Sequence, residues 1–190
     1  MNPDMLGTAD GPVLSSDSFD DTDSEGLGKG TEEEDKPAPE EGQEIISRNS
    51  SHIVVFLETD IVGNPIGSER VEETISAELS AAGYTIMDID IQAEDFLPGN
   101  VGEFYTFIRE EYDAQRIIYG TAGIVEVNES NGFNINVRGS LRVYDVFRDR
   151  IVLVINENAN SQAADSARAV YSAFMNLGRN LAKRLMENTL

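Results

Sequence analysis

The chain of 190 residues carries 35 Asp and Glu against 14 Lys and Arg, a net charge of −21. That excess repels a phosphate backbone or an anionic bilayer, so composition argues against nucleic acid and for a protein partner with a basic patch. With no Cys there is no disulfide, thiolate nucleophile or Cys-ligated metal.

Residues 1–50 hold 14 of the acids and only 3 bases, among Ser, Gly, Thr and Pro. Such a segment buries too little apolar surface to offset its ordering entropy, and it reads as a disordered acidic tether with a reach of about 40 Å. Its first stretch, MNPDMLGTADGPVLSSDSFDD, lacks the basic start and apolar run of an export signal. The chain is therefore expected in the cytoplasm as it stands, and in the periplasm, outer-membrane-associated, if an export signal has been removed. No stretch approaches the roughly 20 apolar residues that span a bilayer. Within the tether, DTDSEGLGKGTE sets Asp21, Asp23, Glu25 and Glu32 at the ligand spacing of an EF-hand loop, with Gly26 at the sharp turn. Against calcium, Gly28 stands where an apolar residue belongs and no amphipathic helix flanks the loop. A Ca2+-binding or small-ligand module using the acidic tail is thus the alternative reading, and otherwise no cofactor is expected.

Composition changes at SHIVVFLETD, a short apolar run that reads as a mostly buried strand. A helix is expected from Ser68 as N-cap, with Val71, Ile75, Leu79 and Ala82 on one face and Gly83 at its end. YTIMDIDI is a second strand. Asn100 and Glu103 resemble a capping box and open a helix with Val101, Phe104, Ile108 and Tyr112 inward. RIIYGTAGIVEV is a third strand and NESNG a turn. FNINVRGSLRVYDVF alternates, with Ile135, Val137, Leu141 and Val143 on one face and Asn134, Asn136, Arg138, Ser140 and Arg142 on a wet face. A hairpin at Arg148–Asp149–Arg150 leads into RIVLVIN. The last helix, over residues 161–187, carries Ala164, Ala167, Val170, Tyr171, Phe174, Leu177, Leu181 and Leu185 at threes and fours. The order β-α-β-α-β-β-β-α defines an α/β (α+β) fold over residues 51–190. It is one globular domain with a single mixed five-stranded sheet, a C-terminal β-hairpin and a long closing helix.

Catalytic groups are sparse. The only His, His52, sits at the boundary of the first strand, and no nucleophilic triad can be assembled around it. GTAG is followed by no Gly-Lys-Ser/Thr, so it is no phosphate loop. Asp145 shares the alternation of Ile135, Val137, Leu141 and Val143 near the strand end. There a carboxylate accepts turn N–H groups or pairs with Arg148 or Arg150, and a structural role outweighs a catalytic one. The surface singled out is Arg138, Arg142 and Tyr144, spaced by twos on the wet side of an acidic domain, since exposed Arg and Tyr anchor protein contacts.

GTAGIVEV, then VRGSLRVYDVFRDRIVLVINENANS, then an Ala-rich helix resembles a group of bacterial cell-envelope α/β domains. The group includes the amino-terminal domain of TolB, the curli-secretion lipoprotein, the lipoprotein activators of penicillin-binding proteins and flagellar outer-membrane-ring assembly proteins. The resemblance covers roughly residues 50–190 and rests on Gly120, Val143, Asp145, Val146, Ile151 and Val152, then Ala163, Ala167, Leu177, Leu181 and Leu185. Two departures are plain: no lipid-bearing Cys is present, and Arg148 and Asp149 stand where the turn usually carries Gly. The resemblance implies a non-enzymatic, lipoprotein-like assembly domain of a periplasmic complex, docking to a protein partner, either another copy of itself or a basic protein surface.

Overall fold

A sequence run that is apolar at successive positions needs cover on both faces, and β1 (Ser51–Thr59) has it. In the computed structural model, which describes residues 45–188, its residues 52–58 are all buried. Val54 and Phe56 face α1 (Arg70–Ala81) and the long α4 (Ser166–Glu187). Ile53, Val55 and Leu57 face the turn of helix α2 (Ala93–Phe96) and α3 (Val101–Glu111). β1 pairs in parallel with β2 (Thr85–Ile86) on one side and β3 (Arg116–Asn128) on the other. β4 (Phe133–Asp145) and β5 (Arg150–Ala163) follow as antiparallel hairpins. The sheet is single, mixed and five-stranded, in the order β2-β1-β3-β4-β5, with helices on both faces. This is the expected architecture with one added turn of helix, α2.

Several elements differ from the sequence reading. The second strand shrinks from YTIMDIDI to two residues, because only Thr85 and Ile86 find partners on β1. β5 continues to Ala163, seven residues beyond the apolar run, because every residue from Asn156 to Ala163 is opposite one in β4. α4 accordingly begins at Ser166, capped by the Asp165 carboxylate, which accepts from Arg168 N–H at 2.9 Å. Its buried face is also turned from the one expected. Ala169, Ala173, Gly178 and Ala182 join Phe174, Leu177, Leu181 and Leu185 inside, while Tyr171 is 48 % exposed.

Neither expected helix cap forms. Ser68 lies ahead of α1, and the Glu58 carboxylate of β1 accepts from both its hydroxyl and, at 2.6 Å, Val71 N–H. Asn100 is the N-cap residue of α3 without a capping bond, its amide donating instead to Asp95 O at 3.4 Å. The core reaches back ahead of β1, where Ile46 is buried and Arg116 Nε donates to Ile45 O at 2.9 Å.

Two glycines set how closely the layers approach. A Cβ at Gly178 would lie 2.7 Å from Thr74 Cβ, so α1 and α4 meet backbone to side chain. At Gly120 a Cβ would lie 2.0 Å from Ser140 O and 2.7 Å from the Phe56 ring. Gly120→Ala is expected to cost about 3 kcal/mol or to prevent folding, as overpacking of a rigid sheet does. Gly102→Ala, where a Cβ meets nothing within 4 Å, should be neutral or stabilising by about 0.5 kcal/mol. Urea denaturation of the two variants checks both.

Candidate functional site

The alternation in β4 sends Ile135, Val137, Leu141 and Val143 into the core under α1 and α4. It sends Asn136, Arg138, Ser140 and Arg142 to the opposite face. On that face the ladder sets Arg138 between Gly123 and Asn158, Ser140 between Thr121 and Asn156, and Arg142 between Tyr119 and Val154. Arg138 is exposed and Arg142 half-buried. Neither forms an ion pair among the described residues.

Tyr144 corrects one expectation. It is 2 % exposed and belongs to the core beneath α3. Its ring stacks on Tyr105 with centroids 3.7 Å apart and planes 9° apart. Its hydroxyl donates to Asp149 and accepts from Arg109 Nη2 at 3.0 Å, while Arg109 also reaches Asp149 at 3.0 Å. Tyr105 and Tyr119 share a hydroxyl–hydroxyl bond beside it. Burial pushes the Tyr105 and Tyr144 phenols up, and the Tyr144 hydroxyl, then Arg109, hold the Asp149 carboxyl below its usual range. Tyr105, Tyr144 and Asp149 therefore keep their ordinary charge at neutral pH, which suits a network that positions side chains. Sequence reading missed Tyr105, Arg109 and Asp149 as one unit, although the odd turn residue was a signal. Asp149 takes φ +52, the left-handed conformation that Gly adopts freely, and its side chain anchors that turn.

Asp145 is structural. It is 1 % exposed, accepts from Arg148 N–H at 3.0 Å, and pairs with Arg116 at 3.2 Å and Arg148 at 3.6 Å. Arg148 was an expected partner, whereas Arg116, from the adjacent strand, was not. Asp145→Ala strands a guanidinium whose side chain is only 13 % exposed. It should cost about 3–5 kcal/mol, against less than about 1 kcal/mol for Arg148→Ala, in chemical denaturation.

Other displaced titrations belong to the frame as well. Burial raises Glu58, which caps α1, and raises Glu72 to about 7. The Glu72 carboxylate accepts Phe56 N–H at 2.9 Å on the open edge of β1. His52 is fully buried with Nδ1 3.1 Å from Thr85 O and its ring edge-on to Tyr84, and burial keeps it neutral. Between pH 4.5 and 7 the folded state holds a proton on Glu72 that the unfolded chain has released. Its stabilising contribution is complete below about pH 4.5 and is lost as pH rises through 7. The urea midpoint should fall from pH 5 to pH 8, and Glu72→Gln, which keeps the acceptor for Phe56 N–H, should flatten that fall.

A depression of about 610 Å³ is lined by Asn136, Asn158, Asn160, Asn176 and Asn180 with Arg138. Its one carboxylate, Glu126, accepts from the Asn136 amide at 2.6 Å. Amides and guanidinium groups bind through hydrogen bonds and do not exchange protons near neutral pH, so this lining suits recognition rather than acid–base work. Among the described residues no cluster of His, Asp or Glu is placed to hold a metal. The candidate calcium loop, Asp21, Asp23, Glu25 and Glu32, lies outside the described residues. No helix among those described is long and apolar enough to cross a membrane.

Parallel β1–β3, two long antiparallel hairpins and a closing helix define an α/β domain built on one mixed sheet. The chain belongs to the TP0693-like lipoprotein family, whose C-terminal domain matches residues 51–186. Membership associates it with the cell envelope. Among solved structures, PelC from Paraburkholderia phytofirmans, a dodecamer, is similar at 12 % identity and a TM-score of 0.50, over 75 % of this chain and 92 % of that one. The hypothetical protein CT253 from Chlamydia trachomatis is similar at 13 % identity and 0.48, over 74 % and 98 %. The LpoB C-terminal domain from Salmonella enterica is similar at 14 % identity and 0.40, over 60 % and 83 %. At these identities the likeness is one of fold. No curated protein matches the chain in sequence.

Proposed function

We propose that this is a non-enzymatic protein-interaction and assembly domain of a bacterial cell-envelope complex, periplasmic and outer-membrane-associated, which docks to a protein partner through the open face of β3–β5. One observation carries the reading. Arg138 and Arg142 stand four residues apart on a sheet face that α2 and α3 leave open, without an ion-pair partner among the described residues, in a chain of net charge −21. Guanidinium groups left free of internal carboxylates present planar donors that match a carboxylate on another molecule. The patch thus selects acidic groups locally, while the domain as a whole favours a partner that is basic elsewhere. Membership in a lipoprotein family supports the envelope setting. PelC, which shares the fold, is a dodecamer, so a second copy of this chain is one partner to test.

A photo-crosslinking amino acid in place of Ser140, between the two arginines, should give a discrete adduct in the native envelope. An adduct of twice the chain mass identifies a second copy, and any other mass a different protein. Arg138→Glu with Arg142→Glu should lower the yield about tenfold or more, since opposed like charges weaken a contact at this range. An undiminished yield would remove this face as the docking site.

A further inference from the structure

β5 is the edge of the sheet, and its outer main chain is protected over only part of its length. The side-chain amides of Asn176 and Asn180 in α4 donate to Asn160 O at 3.1 Å and Asn158 O at 3.3 Å. Those carbonyls therefore point away from β4. Because strand groups alternate with a period of two, the N–H and C=O of Asn156 and Val154 point the same way. The register with β4 is continuous from Ala163 to Leu153, so the alternation holds across this stretch. Among the described residues nothing bonds to the outward groups of Val154 and Asn156.

Edges of this kind are ordinarily blunted by charge, Pro or a covering element, because unpaired N–H and C=O groups template another strand. Here the side chains invite one. Ile151 and Val154 are 45 % and 50 % exposed, and Phe147 in the adjoining turn is 75 % exposed. Residues 150–156, RIVLVIN, contain no acid, and Arg138, Arg142 and Arg150 enter no ion pair among the described residues. The local charge is thus opposite to that of the chain.

We propose that residues 151–156 of β5 accept an extended segment of a partner protein as a sixth strand. The segment alternates acidic side chains, which lie on the face of Arg138 and Arg142, with apolar ones, which extend the opposite face of Leu153 and Ile155. Main-chain bonds to Val154 and Asn156 supply the attachment, and side chains supply the choice of partner. A basic segment would set its charges against Arg138 and Arg142. Self-pairing would set one arginine-bearing edge against another on molecules each of charge −21. This inference rests on the docking reading above and specifies its mode and its ligand chemistry.

The full chain is mixed with a synthetic peptide of about ten alternating Glu and Val residues, or with its Lys and Val counterpart, and amide exchange is followed by NMR. The acidic peptide should slow exchange at Val154 and Asn156 by about tenfold or more while the basic one leaves it unchanged. Asn156→Pro removes an outward donor without touching the β4 ladder, and should abolish the protection. Absence of protection by the acidic peptide, equal protection by both peptides, or protection that survives Asn156→Pro would each overturn the proposal. Protection that grows with protein concentration and needs no peptide would assign the edge to a second copy instead, and overturn the partner named here. If Asn156→Pro proves unfolded by circular dichroism, the contrast between the two peptides on the unaltered chain decides the matter. Loss of the Ser140 adduct in the Arg138→Glu/Arg142→Glu variant, together with an unaffected adduct in Asn156→Pro, would keep the docking face and discard strand addition.

Discussion

Everything distinctive about this domain follows from a mismatch of lengths. β3, β4 and β5 have 13 to 14 residues each and run about 44 Å, whereas α3 has 11 residues and spans about 16 Å. On one side α4, with 22 residues, covers the sheet; on the other α2 and α3 reach only from β1 to the end of β4. The cover stops at Tyr144. Beyond it the strands meet water, and they carry amides, serine, threonine and arginine there beside the exposed Val154. Recognition chemistry is concentrated where the helices run out, because only there does a sheet face meet solvent.

The same asymmetry explains where titratable groups have been displaced. Glu72 is drawn inward because a two-residue β2 leaves most of the β1 edge unpaired and its carboxylate supplies an acceptor there, while Glu58 of β1 is buried where it caps α1. Burial raises both carboxyls and the hydrogen bonds they accept oppose it, without any convergent substrate-binding groups among the described residues. Asp145 plays a comparable part at the far end of β4, where it holds the turn N–H of Arg148 and the buried guanidinium of Arg116. A scan for perturbed carboxylates alone would mark Glu58 and Glu72 as catalytic, and the groups to which each is bonded argue otherwise.

Legibility in the sequence followed the strength of local periodicity. β4 was readable almost residue by residue, because its core face and wet face alternate without interruption. β1 was readable from an apolar run bounded by polar loops. What failed was information that lives in other elements. Tyr144 lies on the wet side by parity, yet Tyr105, 39 residues away in the chain, closes over it. Glu58 caps a helix 12 residues downstream, so Ser68 resembled a cap that tertiary contact had already supplied. The polar end of β5 carries no apolar signal beyond Ala159 and Ala163, and its pairing with β4 alone makes it strand. In α4 small residues face inward because α1 comes close at Gly178, a preference that a scale weighting large apolar residues places on the wrong side. The open face with Arg138 and Arg142 was therefore visible in advance, and its boundary was not.

The amide caps along β5 behave as a vernier. Four residues of helix advance about 6.0 Å and two residues of strand about 6.6 Å, so a helix lying antiparallel beside an edge can match alternate carbonyls for only a few steps. Asn176 meets Asn160 at 3.1 Å and Asn180 meets Asn158 at 3.3 Å. The next tooth would be residue 184 against residue 156, and there Arg184 turns aside to the Glu157 carboxylate at 3.0 Å. The unguarded stretch of edge is thus no accident of composition. It begins where two incommensurate repeats fall out of step.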